Sequence, residues 1–201
     1  MTLYSAPADP WSHRVRIVLA EKAIAIDIVN VEPESLPEDL LEFNPYRSVP
    51  TLADRDLVLY DSGLILDYLD ERFPHPPLMP VDPLTRAKFR LAMFRIERDW
   101  YRILRDIDRE PDRKQGARLR KMLRDTLLQS AGLFRVKPYF QSDEFSLVDA
   151  TIAPVLWRLA HYDIDLPRAE GLPIARYASL VFSRRGFRDS LSDVEQDMRS
   201  R

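Results

Sequence analysis

Cysteine is missing altogether from this chain, and glycine occurs only five times. The first absence removes disulfides, thiolate nucleophiles and most structural zinc sites, and it fits a reducing cytoplasm. The second leaves little material for glycine-rich loops that cradle phosphate. No window comes near the roughly 18 uninterrupted apolar residues of a membrane span. The opening MTLYSAP has no basic stretch followed by an apolar one, so neither a membrane partner nor a secretion signal is expected. Three scattered histidines without a cysteine do not make a metal site.

With 45% apolar and 31% charged residues, the 201 residues read as an ordinary soluble globular protein. The net charge of −2 hides an asymmetry. Residues 1–73 hold 6 Lys/Arg against 14 Asp/Glu, a net of −8, whereas residues 74–201 hold 24 against 18, a net of +6. The imbalance is either chance or the mark of two domains whose surfaces face different partners. RFPHPPLMP, Arg72 to Pro80, lies at the junction, with four prolines in nine residues and the central histidine of the chain. Three segments follow: an N-terminal domain over 1–73, a Pro-rich strap over 74–81, and an all-helical domain over 82–201.

Before the strap, the pattern alternates. Thr2–Tyr4 is a short strand, Trp11–Lys22 a helix, Ile24–Val31 a β-branched strand and Glu34–Phe43 a short helix. Val49–Leu52 and Leu57–Tyr60 make a hairpin about Asp54-Arg55-Asp56, and Asp61–Glu71 is an amphipathic helix. This β-α-β-α-β-β-α order is the thioredoxin-like arrangement. After the strap, one long helix is expected over Leu84–Ile107, with Leu91, Phe94 and Tyr101 forming a second apolar stripe suited to another subunit. Another helix spans Arg118–Leu133. Ser146–Asp149 has the form of a capping box opening the apolar run Ala150–Ala160, with Pro154 in that helix's early turns. Ser192–Glu195 is a further helix start.

The strand–helix order, Ser48-Val49-Pro50 before the hairpin, Asp61-Ser62 opening the third helix and the Ser146–Asp149 box together resemble the cytosolic glutathione transferases. The resemblance implies an α/β plus all-α fold, with a thioredoxin-like domain and a helical bundle domain. It implies that Pro50 is cis and that the Val49 backbone is presented to an extended peptide such as glutathione. Asp61 and Ser62 then face the γ-glutamyl amine and carboxylate, helped by the helix N-terminus. In that superfamily a Ser, Tyr or Cys donates a hydrogen bond to the glutathione thiolate. Matching Arg14-Val15-Arg16-Ile17 to the family's RVRI-type helix start puts Asp9 at the serine position. A carboxylate has no proton to give near neutral pH and raises a neighbouring thiol's pKa. Ser12 lies three residues on, either an N-terminal helix residue or a substitute hydroxyl, and Tyr4 is in the first strand.

YSAPADPWSHRVRIVLAEK, NPYRSVPTL, YLDERFPHPPLMP, RIERDWY, KPYF and SDEFSLVDA together closely resemble the stringent starvation protein A family, over about Thr2 to Met198. These are glutathione transferase-like regulators associated with RNA polymerase in Gram-negative bacteria. That resemblance implies a homodimer with a vestigial glutathione site at Val49, Pro50, Asp61 and Ser62, no catalytic residue, no cofactor and no conjugating activity. It also implies a cytoplasmic role in starvation, stationary-phase and acid stress. The partner is RNA polymerase holoenzyme, through its sigma subunit, and the contact surface is Pro74, His75 and Pro76. Phe73, Leu78 and Met79 are explained as anchors, whereas a plain linker has no need of Pro-His-Pro. The alternative is a glutathione-dependent transferase using a non-standard hydroxyl such as Ser12. The basic cluster Arg113, Lys114, Arg118, Arg120, Lys121 and Arg124 is either a solvated helix face or a contact for phosphate or an acidic protein. No aromatic interleaving or helix-turn-helix spacing accompanies it, so sequence-specific DNA reading is not expected.

Overall fold

The computed structural model describes residues 1–32 and 35–199. The chain divides into two compact units: Met1–Pro77 together with the segment from Arg185 onward, and Leu78–Arg184. The last segment thus belongs with the first unit and not with the helical domain expected over 82–201.

In the first unit, β1 (Thr2–Ser5) lies between its neighbours in a four-stranded sheet of order β2-β1-β3-β4. It pairs in parallel with β2 (Asp27–Asn30), Leu3 opposite Ile28, and antiparallel with β3 (Thr51–Asp54), Leu3 opposite Leu52. A tight turn at Arg55-Asp56 returns the chain into β4 (Leu57–Leu59), with Arg55 in the left-handed region at φ 56°. Helices α1 (Pro10–Glu21) and α3 (Ser62–Arg72) pack against each other and bury Val15, Val18, Ile65 and Leu69. The short helix α2 (Glu38–Phe43) adds Leu40 to a small cluster with Tyr4 and Val31.

Several expected boundaries move, among them the strand expected over Val49–Leu52, which lies at Thr51–Asp54. The strand expected from Ile24 starts at Asp27, because Ala23 turns left-handed (φ 52°) and the Ile24 N–H bonds back to the Leu19 carbonyl at 2.9 Å. Those residues close α1 in a Schellman-type cap instead of opening a strand. The helix expected over Glu34–Phe43 begins at Glu38 behind Pro37; Glu34 itself lies outside the described residues.

The helical unit opens with α4 (Pro83–Ile96), capped by Asp82, whose carboxylate accepts the Thr85 N–H at 2.8 Å. The long helix expected to Ile107 is interrupted by a π-turn at Glu97–Tyr101 before α5 (Arg102–Arg109). The wider turn changes the phase of the apolar stripe. Tyr101 consequently points into its own unit, fully buried, with its hydroxyl donating to the Thr151 carbonyl at 2.8 Å. The outward stripe is therefore Leu84, Leu91 and Phe94, which are 66%, 59% and 59% exposed, and Tyr101 leaves it. Helix α6 (Arg113–Gln129) starts earlier than expected because Asp112 caps it, its side chain accepting the Gln115 N–H at 2.8 Å. A 3-10 turn at Ala131–Arg135 follows.

The capping box forms as expected and opens α7 (Leu147–Trp157), but Pro154 falls in the second half of that helix rather than in its early turns. Asp149 does more than cap. It is completely buried, and its two oxygens accept the Phe140 N–H (2.8 Å), the Ser146 N–H (2.8 Å), the Ser146 hydroxyl (2.8 Å) and the Tyr177 hydroxyl (2.7 Å). Burial raises its carboxyl pKa, and the four donors oppose that rise. Tyr177 lies on α8 (Leu172–Ser183), so one carboxylate ties α7, α8 and the 140 loop together.

In the final segment, α9 (Arg185–Asp189) and α10 (Asp193–Asp197) return to α1. The expected Ser192–Glu195 box is present. Glu195, fully buried, accepts from the Arg16 guanidinium at 2.6 Å and faces His13 Nδ1 at 3.3 Å.

Asp149→Ala strands several buried donors at once, each worth about 1–3 kcal/mol. We expect a loss of at least about 3 kcal/mol, seen as a melting temperature lower by about 6–12 °C. A change under about 2 °C in calorimetry would show that these bonds are replaced by water at little cost.

Candidate functional site

Asp9, the residue expected at the transferases' hydroxyl position, is the N-cap of α1. Its backbone is extended and its carboxylate accepts the Ser12 N–H at 2.6 Å. An aspartate is well suited to that work, since it satisfies one of the orphan donors of the first turn and places a negative charge at the positive end of the helix. Ser12 is completely buried, and its hydroxyl oxygen accepts the Ala6 N–H at 3.2 Å. The geometry therefore matches its reading as a helix-start residue. Tyr4 is buried in the small cluster with Leu40, and its hydroxyl donates to Asp39 Oδ2 at 2.5 Å. All three groups near the start of α1 are thus engaged in internal contacts.

The Val49–Pro50 bond is cis, as expected, and Val49 packs against the Tyr4–Leu40 cluster. The loop before it is pinned by Asn44, which is fully buried. Its amide donates to the Ser48 carbonyl (2.9 Å) and to Thr51 Oγ1 (2.8 Å), and its oxygen accepts the Tyr46 N–H (2.9 Å). Asp61 caps α3, accepting the Leu64 N–H at 3.0 Å, and is exposed. Ser62 is buried, and its hydroxyl oxygen accepts from the Arg14 guanidinium, by Nε at 3.0 Å and by Nη2. Two acceptor positions on that oxygen are filled from within the protein, which leaves only its own proton for any other group. The Arg14 partnership had no local signal, because 48 residues separate the two side chains.

The strap has a different character. Pro74, His75, Pro76 and Pro77 are exposed, Phe73 is half-buried, and Leu78 and Met79 are buried. The Arg72 guanidinium lies 5.6 Å from the centre of the Phe73 ring. Leu78 is held within the helical unit by the Leu147 N–H on its carbonyl at 2.9 Å. The His75–Pro76 bond is also cis. Two strap carbonyls do not face outward as an extended linker's would: Phe73 O and Pro76 O each accept from Lys22 Nζ at 2.7 Å. Of the basic cluster, Arg113, Lys114, Arg118 and Lys121 are exposed on α6, and Lys121 pairs with Asp125 at 2.5 Å. Among the described residues, no three His, Asp or Glu side chains gather as a metal ion requires, and no helix is long and apolar enough to cross a membrane.

Residues 3–77 match the family model "Glutathione S-transferase, N-terminal domain". A stringent starvation protein A homolog of Coxiella burnetii is 48% identical over 199 residues, covering 99% of this chain and 95% of that one. A stringent starvation protein A homolog of Pasteurella multocida is 50% identical over 191 residues, covering 95% and 90%. Among solved structures, BphK, a bacterial glutathione transferase, superposes with a TM-score of 0.86 at 24% identity, over 98% of this chain and all of that one. That likeness concerns the fold.

The Tyr4 phenol gives a measurable handle on this region. Its pKa, ordinarily 10.0, is pushed up to about 12, first by the hydrogen bond to Asp39, then by burial and by the charge of Asp39. A raised value means that the protonated phenol is the form that the fold favours. The stabilisation is full below pH 10 and is lost as the pH climbs through 12. Asp39→Asn removes the charge, so the Tyr4 titration, followed by ring-carbon NMR, should fall back toward 10. An unchanged titration in that variant would mean that Asp39 is not the cause.

Proposed function

The chain belongs to the stringent starvation protein A family, and from that premise we propose that it is a regulator that binds RNA polymerase holoenzyme in the cytoplasm and has no transferase activity. The observation that carries the reading is the strap. Pro74, His75 and Pro76 stand exposed while Leu78 and Met79 nearby are buried. Prolines fix φ and remove backbone donors, so such a surface loses little entropy when a partner docks on it. The sigma subunit is the proposed contact, and starvation, stationary-phase and acid stress are the proposed setting. The first 73 residues carry a net charge of −8, which favours a basic face on the partner.

A transferase reading needs a hydroxyl donor aimed at a thiolate. Asp9 caps a helix, Ser12 is buried against the Ala6 N–H, and Tyr4 is spent on Asp39. No observation favours that reading over the regulator. Replacing Pro74, His75 and Pro76 together with Ala should leave circular dichroism and sizing unchanged and weaken polymerase capture at least about tenfold. Capture equal to wild type, or glutathione-saturable turnover of a chromogenic substrate that vanishes in Ser12→Ala, would overturn it.

The same reading includes a homodimer. Leu84, Leu91 and Phe94 leave an apolar face open on α4, and the chain carries opposite net charges before and after the strap, so two copies can pair unlike surfaces. Light scattering at micromolar concentration should give twice the 23.5 kDa chain mass, and Phe94→Glu should return it to that mass. A wild-type protein that scatters as a single chain would refute the dimer.

A further inference from the structure

We infer that Lys22 is the positioning residue of the Pro74–Pro76 surface, a claim that rests on reading that surface as a docking site. Lys22 follows the last turn of α1, and its side chain is fully buried. Its ammonium group has three protons, and the structure gives each one a partner: Phe73 O at 2.7 Å, Pro76 O at 2.7 Å and Asp70 Oδ1 at 2.7 Å. The two carbonyls bracket Pro74 and His75, so one side chain grips the loop at both ends.

The loop needs an outside grip. Pro74, Pro76 and Pro77 have no N–H, so His75 is the only backbone donor among these four residues. Such a segment cannot brace itself with a turn of its own hydrogen bonds. Lys22 also lines an open cleft of about 670 Å³ together with Ala23–Asp27, Phe73 and His75. Fold stability alone does not call for a buried ammonium, because well-packed apolar residues in place of a buried ion pair are often as stable or more so. What an apolar side chain cannot supply is three directed donors, two of them aimed at strap carbonyls.

The test uses full-length protein carrying Lys22→Met with Asp70→Leu, which removes both charges of the pair together. The inference expects a melting temperature within a few degrees of wild type, shifted or broadened His75 imidazole resonances, and polymerase affinity weakened about tenfold through lost preorganisation. In the triple-Ala strap background, the same pair of substitutions should cause no further loss of affinity. If the pair variant does not fold, Lys22→Arg, which keeps the charge on a group of different reach, carries the same measurements. His75 resonances identical to wild type in a folded variant would overturn the inference, as would an additive loss in the triple-Ala background. Resonances that shift while the triple-Ala protein still captures polymerase normally would instead sink the docking reading and leave Lys22 as the residue that holds the loop.

Discussion

Helix α1 carries Ser12, His13, Arg14, Arg16 and Lys22 at or near its length, and every one of them is buried. A charge taken out of water costs several kcal/mol unless a partner meets it, so the three cations Arg14, Arg16 and Lys22 each dictate where some other part of the chain must lie. Arg14 requires Ser62 at the start of α3. Arg16 requires Ser5, the Ser190 carbonyl and Glu195, and Lys22 requires Asp70 and the strap. The first unit is arranged around these demands. They explain why the segment after Arg184 returns to the beginning of the chain: Glu195 and Ser190 are needed there.

The same demands bear on the residues where a glutathione site was expected. Ser62 accepts from Arg14, Ser12 accepts from Ala6, and Asp9 caps the helix that carries Arg14 and Ser12. Each of these groups takes part in internal bonding.

In the helical unit a single acceptor plays the corresponding part. Asp149 gathers donors from the 140 loop, from the start of α7 and from Tyr177 on α8. The π-turn at Glu97–Tyr101 works alongside it by swinging Tyr101 onto the Thr151 carbonyl, and that leaves Leu84, Leu91 and Phe94 alone on the outer face of α4.

Read along the chain, local rules decided a good deal: the order of strands and helices, both capping boxes, the hairpin at Arg55-Asp56, and a strap with buried Leu78 and Met79 beside an exposed Pro-His-Pro. Each of those signals acts within a turn or two of backbone, which is the range over which periodicity, capping and proline sterics operate. The cap at Asp9 is local too. Other features have no local trace. Arg16 and Glu195 are 179 residues apart, Lys22 and Pro76 are 54 apart, and no spacing rule links them. The π-turn is equally silent, since Glu97–Tyr101 has the composition of an ordinary helix and only packing selects the wider turn. Burial and long-range pairing are properties of the folded chain as a whole. They settled which polar groups are consumed, where the last segment lies and which residue holds the strap.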